Sequence, residues 1–189
     1  AVDLPAGEHE RIASFFAPPR FEKLPGEDGK FARYRLEDRD FRQWGRTNVA
    51  PHKQPGYAIA NITLKPVGGI PGDVTAEQMD AVAALAERFS FSEIRATHEQ
   101  NLVLPHVRQA GLYGVWQTLK SLDLATPNFG LVSDLIACPG MDYCTLANAR
   151  SISLAQDISK RFADLDQQHG IGELKVKISG CINACGHHH

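Results

Sequence analysis

Four cysteines are the residues of this chain whose type and spacing could do chemistry. Cys138 and Cys144 form a C-x5-C pair, Cys181 and Cys185 form a C-x3-C pair, and the 189-residue sequence contains no other cysteine. Four thiolates are the usual ligand set of an iron–sulfur cluster, which two loops can enclose. Structural zinc sites use C-x2–4-C pairs, so zinc suits the second pair better than the first. Disulfides are the third possibility.

Each cysteine pair follows a segment that predicts a β-strand. Residues 131–137 are predicted to form a strand that leads into Cys138. Residues 174–178 alternate apolar and polar side chains as a half-buried strand does, and this strand ends just before Cys181. A helix is predicted after Cys144, to about residue 165. Loops at strand ends suit ligand binding because a rigid sheet fixes their geometry.

A module without cysteine precedes this region. Its pattern predicts strand, helix, two strands and helix, which is typical of a sheet with helices on one face. Thr75 and Gln78 form a capping box at the start of the first helix. The predicted elements are a strand at 57–64, a helix whose buried stripe is Met79, Val82, Ala83 and Ala86, strands at 93–97 and 101–104, and a helix at 106–122.

Composition excludes several classes of protein. The net charge of −2 gives no bulk attraction to nucleic acid or to anionic membranes. No run of about 18 apolar residues is present, so no transmembrane helix is expected. No signal-peptide pattern opens the chain, and we expect reduced thiols in the cytoplasm.

Longer stretches of sequence resemble one family. The stretch CPGMDYCTLANARSI, followed by ELKVKISGCINACGHHH, resembles the siroheme and iron–sulfur signature of assimilatory sulfite and nitrite reductases. Upstream, GGIPGDVTAEQMDAVAALAERF, IRATHEQNLVLP and LATPNFGLVSDLIACPG continue the resemblance, from about Gly56 to His189. The chain resembles the second half of a sulfite reductase hemoprotein (beta) component.

The resemblance implies an α+β fold. Residues 56–125 would form a ferredoxin-like half domain, preceded by an irregular extension over 1–55 and followed by part of a siroheme- and 4Fe-4S-binding α/β domain over 126–189. Because the family is built as a tandem repeat, the chain is interpreted as a fragment without the first repeat, which carries the cationic substrate pocket. The terminal His187, His188 and His189 match the sequence pattern of the family and are interpreted as native rather than as a purification tag.

The resemblance also implies the cofactors and their ligands. A [4Fe-4S] cluster would be held by Cys138, Cys144, Cys181 and Cys185. The last of these would also bridge to the siroheme iron, and is the predicted catalytic residue. The implied reaction is the six-electron reduction of sulfite to sulfide, with no activity expected from the fragment alone. The further predicted siroheme contacts are Thr97, Gln100, Asn101, Asn183 and Cys185.

Several alternatives stay open. Nitrite is the close alternative substrate, and a non-catalytic four-cysteine metal-binding or electron-transfer module is the alternative from another class. Thr97, Gln100 and Asn101 also fit an ordinary hairpin turn. Arg46, His52 and Lys53 either face cofactor carboxylates or belong to a solvated, self-neutralising surface. The implied partners are the remainder of the subunit, a flavoprotein or ferredoxin electron donor, and the small anion.

Overall fold

The computed structural model describes residues 4–186 and shows a mixed helix and sheet fold. Its larger sheet has four antiparallel strands in the order β1-β2-β4-β3. The strands are β1 (Val49–Pro51), β2 (Tyr57–Ile62), β3 (Arg95–Ala96) and β4 (Leu102–Arg108). The α+β fold class predicted from the sequence is confirmed.

Helices pack with this sheet around one apolar core. They are α2 (Gly29–Glu37), α3 (Arg39–Thr47), α4 (Ala76–Phe89) and α5 (Leu112–Ser121), and a shorter helix, α1 (Glu8–Ser14), precedes them. Phe41 and Trp44 of α3 are fully buried in the core, beside Leu104 of β4 and Leu119 of α5. The expectation of an irregular segment before residue 56 is therefore wrong, because α2, α3 and β1 contribute residues to this core or pack against it.

The first predicted helix is present with a different buried face. Thr75 and Gln78 make both hydrogen bonds of the predicted capping box. Met79 is 57% exposed and Ala83 is also exposed, whereas Val82, Leu85 and Ala86 are buried. The prediction is right for Val82 and Ala86 and wrong for Met79 and Ala83, because this alanine-rich helix offers several overlapping sets of apolar residues at helical spacing.

The second predicted helix begins later than expected. Residues 102–108 continue as β4, because β2 supplies partners along this length, with Tyr57 opposite Arg108 and Ala58 opposite Val107. His106 therefore lies on a strand, and α5 begins at Leu112, after a 3₁₀ turn at Gln109–Gly111.

The C-terminal region forms a smaller sheet of two parallel strands, β5 (Ile136–Ala137) and β6 (Lys177–Ile178). The helix predicted after Cys144 to about residue 165 is present as the shorter α6 (Ile152–Arg161), and a further helix, α7 (Leu165–Ile171), begins where the predicted one was expected to end. Asp164 separates them, because its side chain accepts the N–H groups of Asp166 and Gln167 as a helix N-cap. Over residues 4–186, no helix has the length and apolar character needed to cross a membrane.

Candidate metal centre

The two cysteine pairs lie in loops that leave neighbouring strands on the same side of the smaller sheet. The first cysteine loop (residues 138–150) follows β5, and the second cysteine loop (residues 179–186) follows β6. The N–H of Cys138 donates to the carbonyl of Ile178 over 3.0 Å, so the parallel pairing runs to the start of both loops. The prediction that both pairs follow strand ends is confirmed.

The two loops are also hydrogen-bonded to each other. The N–H groups of Asn148 and Ala149 donate to the carbonyl of Gly180 over 2.8 and 3.0 Å, and the Gly180 N–H donates to Cys138 Sγ over 3.0 Å. A Cβ atom on Gly180 would lie 2.7 Å from the Ala149 carbonyl oxygen and 3.0 Å from the Gly140 Cα. Close approach of the two loops therefore requires glycine at position 180.

Cys138 is the buried member of the set, with 6% of its surface exposed. Burial raises the pKa of its thiol, but hydrogen bonds from the Ser151 hydroxyl and from the N–H groups of Gly180 and Gly140 lower it, so that the pKa lies below its usual value. The single proton of the Ser151 hydroxyl is shared between Cys138 Sγ, at 3.4 Å, and the Cys138 carbonyl oxygen, at 2.6 Å, and this contact fixes the backbone beside the thiol.

The other three thiols are more open. Cys144 and Cys181 are partly exposed, Cys185 is exposed, and all four cysteines are free of disulfides. Large apolar side chains in the same loops also face solvent, including Tyr143 and Ile182, which is 95% exposed.

The donor set fits an iron–sulfur cluster in kind, because it consists of four free thiols in two adjoining loops. Across residues 4–186, however, no three His, Cys, Asp or Glu side chains are gathered closely enough to hold a metal ion. The structure thus brings the two loops together without bringing the thiols into a ligating group.

The hairpin tip at residues 97–101 is tied to protein groups. The Thr97 hydroxyl accepts the N–H groups of Glu99 and Asn101, each over 3.2 Å. Asn101 is 1% exposed, and its side-chain oxygen accepts the Leu64 N–H over 3.1 Å. The amide of Gln100 contacts both backbone polar groups of Ala137. These side chains have the bonding of a structural turn, and their contact with siroheme stays a prediction.

A buried ion pair joins the half domain to the C-terminal region. Lys65 Nζ lies 3.3 Å from Asp134 Oδ1, with both side chains 2% exposed. Asn101 bridges them, accepting from Lys65 Nζ over 2.9 Å and donating to Asp134 Oδ1 over 2.9 Å. Burial lowers the pKa of Lys65 and raises that of Asp134, and the attraction between the two groups opposes both shifts.

The remaining predicted cofactor contacts are spread over different surfaces. Asn183 is exposed in the second cysteine loop. His52 and Lys53 line a groove of about 940 Å³, while Arg46 lines a separate one with Asp166 and His169. The structure therefore does not gather Arg46, His52 and Lys53 into one cradle for cofactor carboxylates. His187, His188 and His189 lie outside the described residues.

The structure also contains a polar chain that the sequence did not predict. His52 Nε2 lies 3.0 Å from His106 Nδ1, and His106 Nε2 lies 3.2 Å from Glu93 Oε2. The Gln54 N–H donates to His52 Nδ1 over 2.8 Å, so His52 carries its proton on Nε2 and donates it to His106. No sequence pattern indicates this row of hydrogen-bonded side chains, because 54 residues separate the two histidines. The aromatic rings around it are Phe21, Tyr57 and Phe91.

Comparison with known proteins agrees with this fold. Residues 52–122 match the family model of the nitrite/sulfite reductase ferredoxin-like half domain. The chain is 29% identical over 168 residues to the chloroplastic ferredoxin–nitrite reductase of Arabidopsis thaliana, covering 84% of this chain and 27% of that protein. It is 31% identical over 123 residues to sulfite reductase [ferredoxin] 2 of Mycolicibacterium paratuberculosis, covering 63% of this chain and 22% of that protein.

A solved structure is similar to this chain in fold as well as in sequence. The structure of the Mycobacterium tuberculosis NirA protein matches with a TM-score of 0.58 at 27% identity, covering 74% of this chain and 25% of that chain. The chain therefore spans about a quarter of the length of the curated relatives described above. Residues 52–122 therefore match the nitrite/sulfite reductase ferredoxin-like half domain, and the chain is similar to sulfite and nitrite reductases.

Proposed function

We propose that this chain is the cluster-binding portion of a siroheme-dependent reductase of a small oxyanion. The observation that carries the proposal is the pair of cysteine loops, which leave adjacent parallel strands and are hydrogen-bonded through Gly180. Four free thiols in such loops suit a [4Fe-4S] cluster, and the neighbouring half domain is of the reductase type.

Each cysteine has a proposed role. Cys138, Cys144, Cys181 and Cys185 would ligate the cluster, and Cys185 would also be the proximal thiolate of siroheme. The exposure of Cys185 supports this choice, because a thiolate shared between two groups must be reachable from outside its own loop. Siroheme and the cluster, when bound, supply the electron transfer for a six-electron reduction.

The chain's own residues would hold these groups in place. Ser151 and the Gly180 N–H bond to Cys138 and so orient its thiol, and hydrogen bonds to sulfur are one way in which a protein tunes a cluster's potential. The exposed apolar side chains of the loops, among them Tyr143 and Ile182, offer a surface that siroheme or the rest of the subunit would cover.

The substrate and donor are part of the proposal. The resemblance indicated sulfite, and nitrite is the alternative because relatives of both kinds match. Those relatives are named as ferredoxin enzymes, which supports ferredoxin as the electron donor. We further propose that the cationic substrate pocket lies in polypeptide beyond these 189 residues, since the chain spans about a quarter of its relatives. The cytoplasmic location stays a prediction.

An assay on the full encoded polypeptide tests the proposal. The protein is purified anaerobically from cells that make siroheme, and its oxidation of a reduced viologen dye is followed with sulfite and with nitrite in separate reactions. We expect oxidation of the dye with at least one anion, and loss of that activity in Cys185→Ser. A protein that takes up siroheme and cluster yet reduces neither anion would contradict the proposed reaction.

The alternative is a four-cysteine metal-binding module without catalysis. The C-x3-C spacing of Cys181 and Cys185 favours this candidate, because structural zinc sites use such pairs. Absorbance after anaerobic reconstitution distinguishes the two, because a zinc protein is colourless and an iron–sulfur protein is brown.

A further inference from the structure

One edge of β5 is covered by a side chain instead of a strand. On the other edge, the N–H groups of Ile136 and Cys138 donate to the carbonyls of Val176 and Ile178 over 2.9 and 3.0 Å. The polar groups of Ala137 therefore point away from β6, because backbone groups alternate along a strand. Ala137 is buried, so these groups need a partner within the protein.

Gln100 supplies that partner. Its Nε2 donates to the Ala137 carbonyl over 2.9 Å, and its Oε1 accepts the Ala137 N–H over 3.2 Å. This amide thus makes the same pair of bonds that a neighbouring strand would make. The residue that it holds is the one immediately before Cys138.

Gln100 is itself held in place by its surroundings. Its backbone adopts the left-handed region, with φ of 58°, at the tip of the hairpin between β3 and β4. Gly72 packs against it so closely that a Cβ atom at position 72 would lie 3.0 Å from Gln100 Cβ. The next residue, Asn101, donates to Asp134 over 2.9 Å, so the hairpin tip holds the approach to Cys138 at two points.

We infer that Gln100 is a positioning residue for Cys138: it fixes the backbone from which this thiol reaches the cluster. The inference rests on the proposed function in taking Cys138 as a cluster ligand. It makes retention of the cluster depend on a side chain of the half domain that lies 37 residues before Ala137 in sequence.

Two variants test the inference against a matched control. Gln100→Gly and Gln100→Ala both remove the amide, and glycine also tolerates the left-handed backbone, which separates loss of the two bonds from backbone strain. The control is Gln109→Ala. Gln109 makes the same kind of double contact elsewhere, donating to the Gly26 carbonyl over 3.2 Å and accepting the Asp28 N–H over 2.9 Å.

The first readout is hydrogen exchange of the metal-free chain. We expect the Ala137 amide to exchange roughly tenfold faster or more in both Gln100 variants, because two hydrogen bonds are lost. In Gln109→Ala this amide should exchange as in the wild type. Unchanged exchange at Ala137 in Gln100→Gly would overturn the inference, whatever the chain binds.

The second readout is the rate at which a chelator removes iron from the anaerobically reconstituted chain, followed by loss of the iron–sulfur absorption. We expect loss roughly tenfold faster in Gln100→Gly and Gln100→Ala than in the wild type and Gln109→Ala. Equal rates in all four proteins would overturn the positioning role while leaving the ligand assignment intact. A wild-type chain that takes up no cluster would contradict the ligand assignment itself, and the inference would fall with it.

Discussion

Gly180 is the residue whose substitution most directly tests the packing of the two cysteine loops. In Gly180→Ala the new methyl group would meet the Ala149 carbonyl oxygen at 2.7 Å and the Gly140 Cα at 3.0 Å, so the loops must separate. We expect a loss of about 1–3 kcal/mol in the free energy of unfolding, as for other overpacked sites. Urea denaturation of the anaerobically reconstituted chain measures it.

Gly170→Ala is the control for this substitution. Gly170 lies within α7, and a Cβ atom there meets nothing within 4 Å. Alanine is favoured over glycine inside a helix by about 0.5–1 kcal/mol, so this variant should be as stable as the wild type or more so. Equal stabilities of the Gly180 and Gly170 variants would show that the loops are not tightly apposed.

The lowered pKa of His52 predicts how the free energy of unfolding changes with pH. Its pKa is lowered, mainly by burial and then by the neighbouring His106, so the unfolded chain binds a proton at His52 more readily than the folded chain. Its contribution is therefore fully present above the unfolded pKa of about 6.5 and is lost as the pH falls below that value. Urea unfolding across about pH 5–8 should show this decline.

The decline should be shallower in His52→Gln, which cannot take up the proton. His9→Gln is the control, because His9 is exposed on α1. If His52→Gln kept the same pH dependence as His9→Gln, another group would be responsible for the decline. The groups that face His52 are His106 and Arg95, and Glu93 lies beyond His106.

At the residue scale, the sequence could predict the cysteine ligands, but not the side chains that make long-range polar contacts around them and elsewhere in the fold. Cys138 and Cys144 are visible because their spacing is itself a signal. The contacts of Gln100 with Ala137 and of His52 with His106 join residues 37 and 54 positions apart. Polar side chains with such distant partners carry no periodic pattern that could indicate them.

At the scale of elements, the ion pair between Lys65 and Asp134 joins the half domain to the segment before β5. Asp134→Ala would leave the Lys65 ammonium buried without its counter-charge, and removing one partner of a buried pair costs about 3–5 kcal/mol. We expect a loss of this size in the free energy of unfolding, measured by urea denaturation.

Two further variants show whether the loss of stability in Asp134→Ala comes from burial of the unpaired Lys65 charge. Asp40→Ala breaks a pair with Lys120 in which both side chains are more than half exposed, and should cost no more than about 1 kcal/mol. The double variant Lys65→Met with Asp134→Leu leaves no unpaired charge and should be more stable than Asp134→Ala. A small effect of Asp134→Ala would mean that water reaches Lys65.

Elements were predictable where their sequence pattern was unambiguous. The capping box of α4 is a local signal and was predicted correctly. The extent of β4 depends on its pairing with β2, and the break between α6 and α7 depends on Asp164 acting as a cap, so neither boundary followed from apolar periodicity. Helix α3 was missed because Phe41 and Trp44 are its only buried residues among nine, most of which are polar.

At the scale of the whole molecule, the half domain should fold without the cluster, whereas the cysteine loops should depend on it. The half domain has a continuous core that includes Ile62 and Val82, but the loops leave strands of two residues each. Hydrogen exchange of the metal-free chain should show slow amides at residues 62–64 and 79–86 and fast amides at residues 138–144 and 181–186. Equal protection of both regions would show that the loops are organised without metal.

The central claim is that four cysteines of this chain hold one [4Fe-4S] cluster, and iron and acid-labile sulfide analysis after anaerobic reconstitution tests it most directly. We predict about four iron and four sulfide ions per chain, and loss of this stoichiometry in each single Cys→Ser variant at positions 138, 144, 181 and 185. Iron and sulfide that are absent from the wild-type chain, or that bind equally well to a Cys→Ser variant, would contradict the claim.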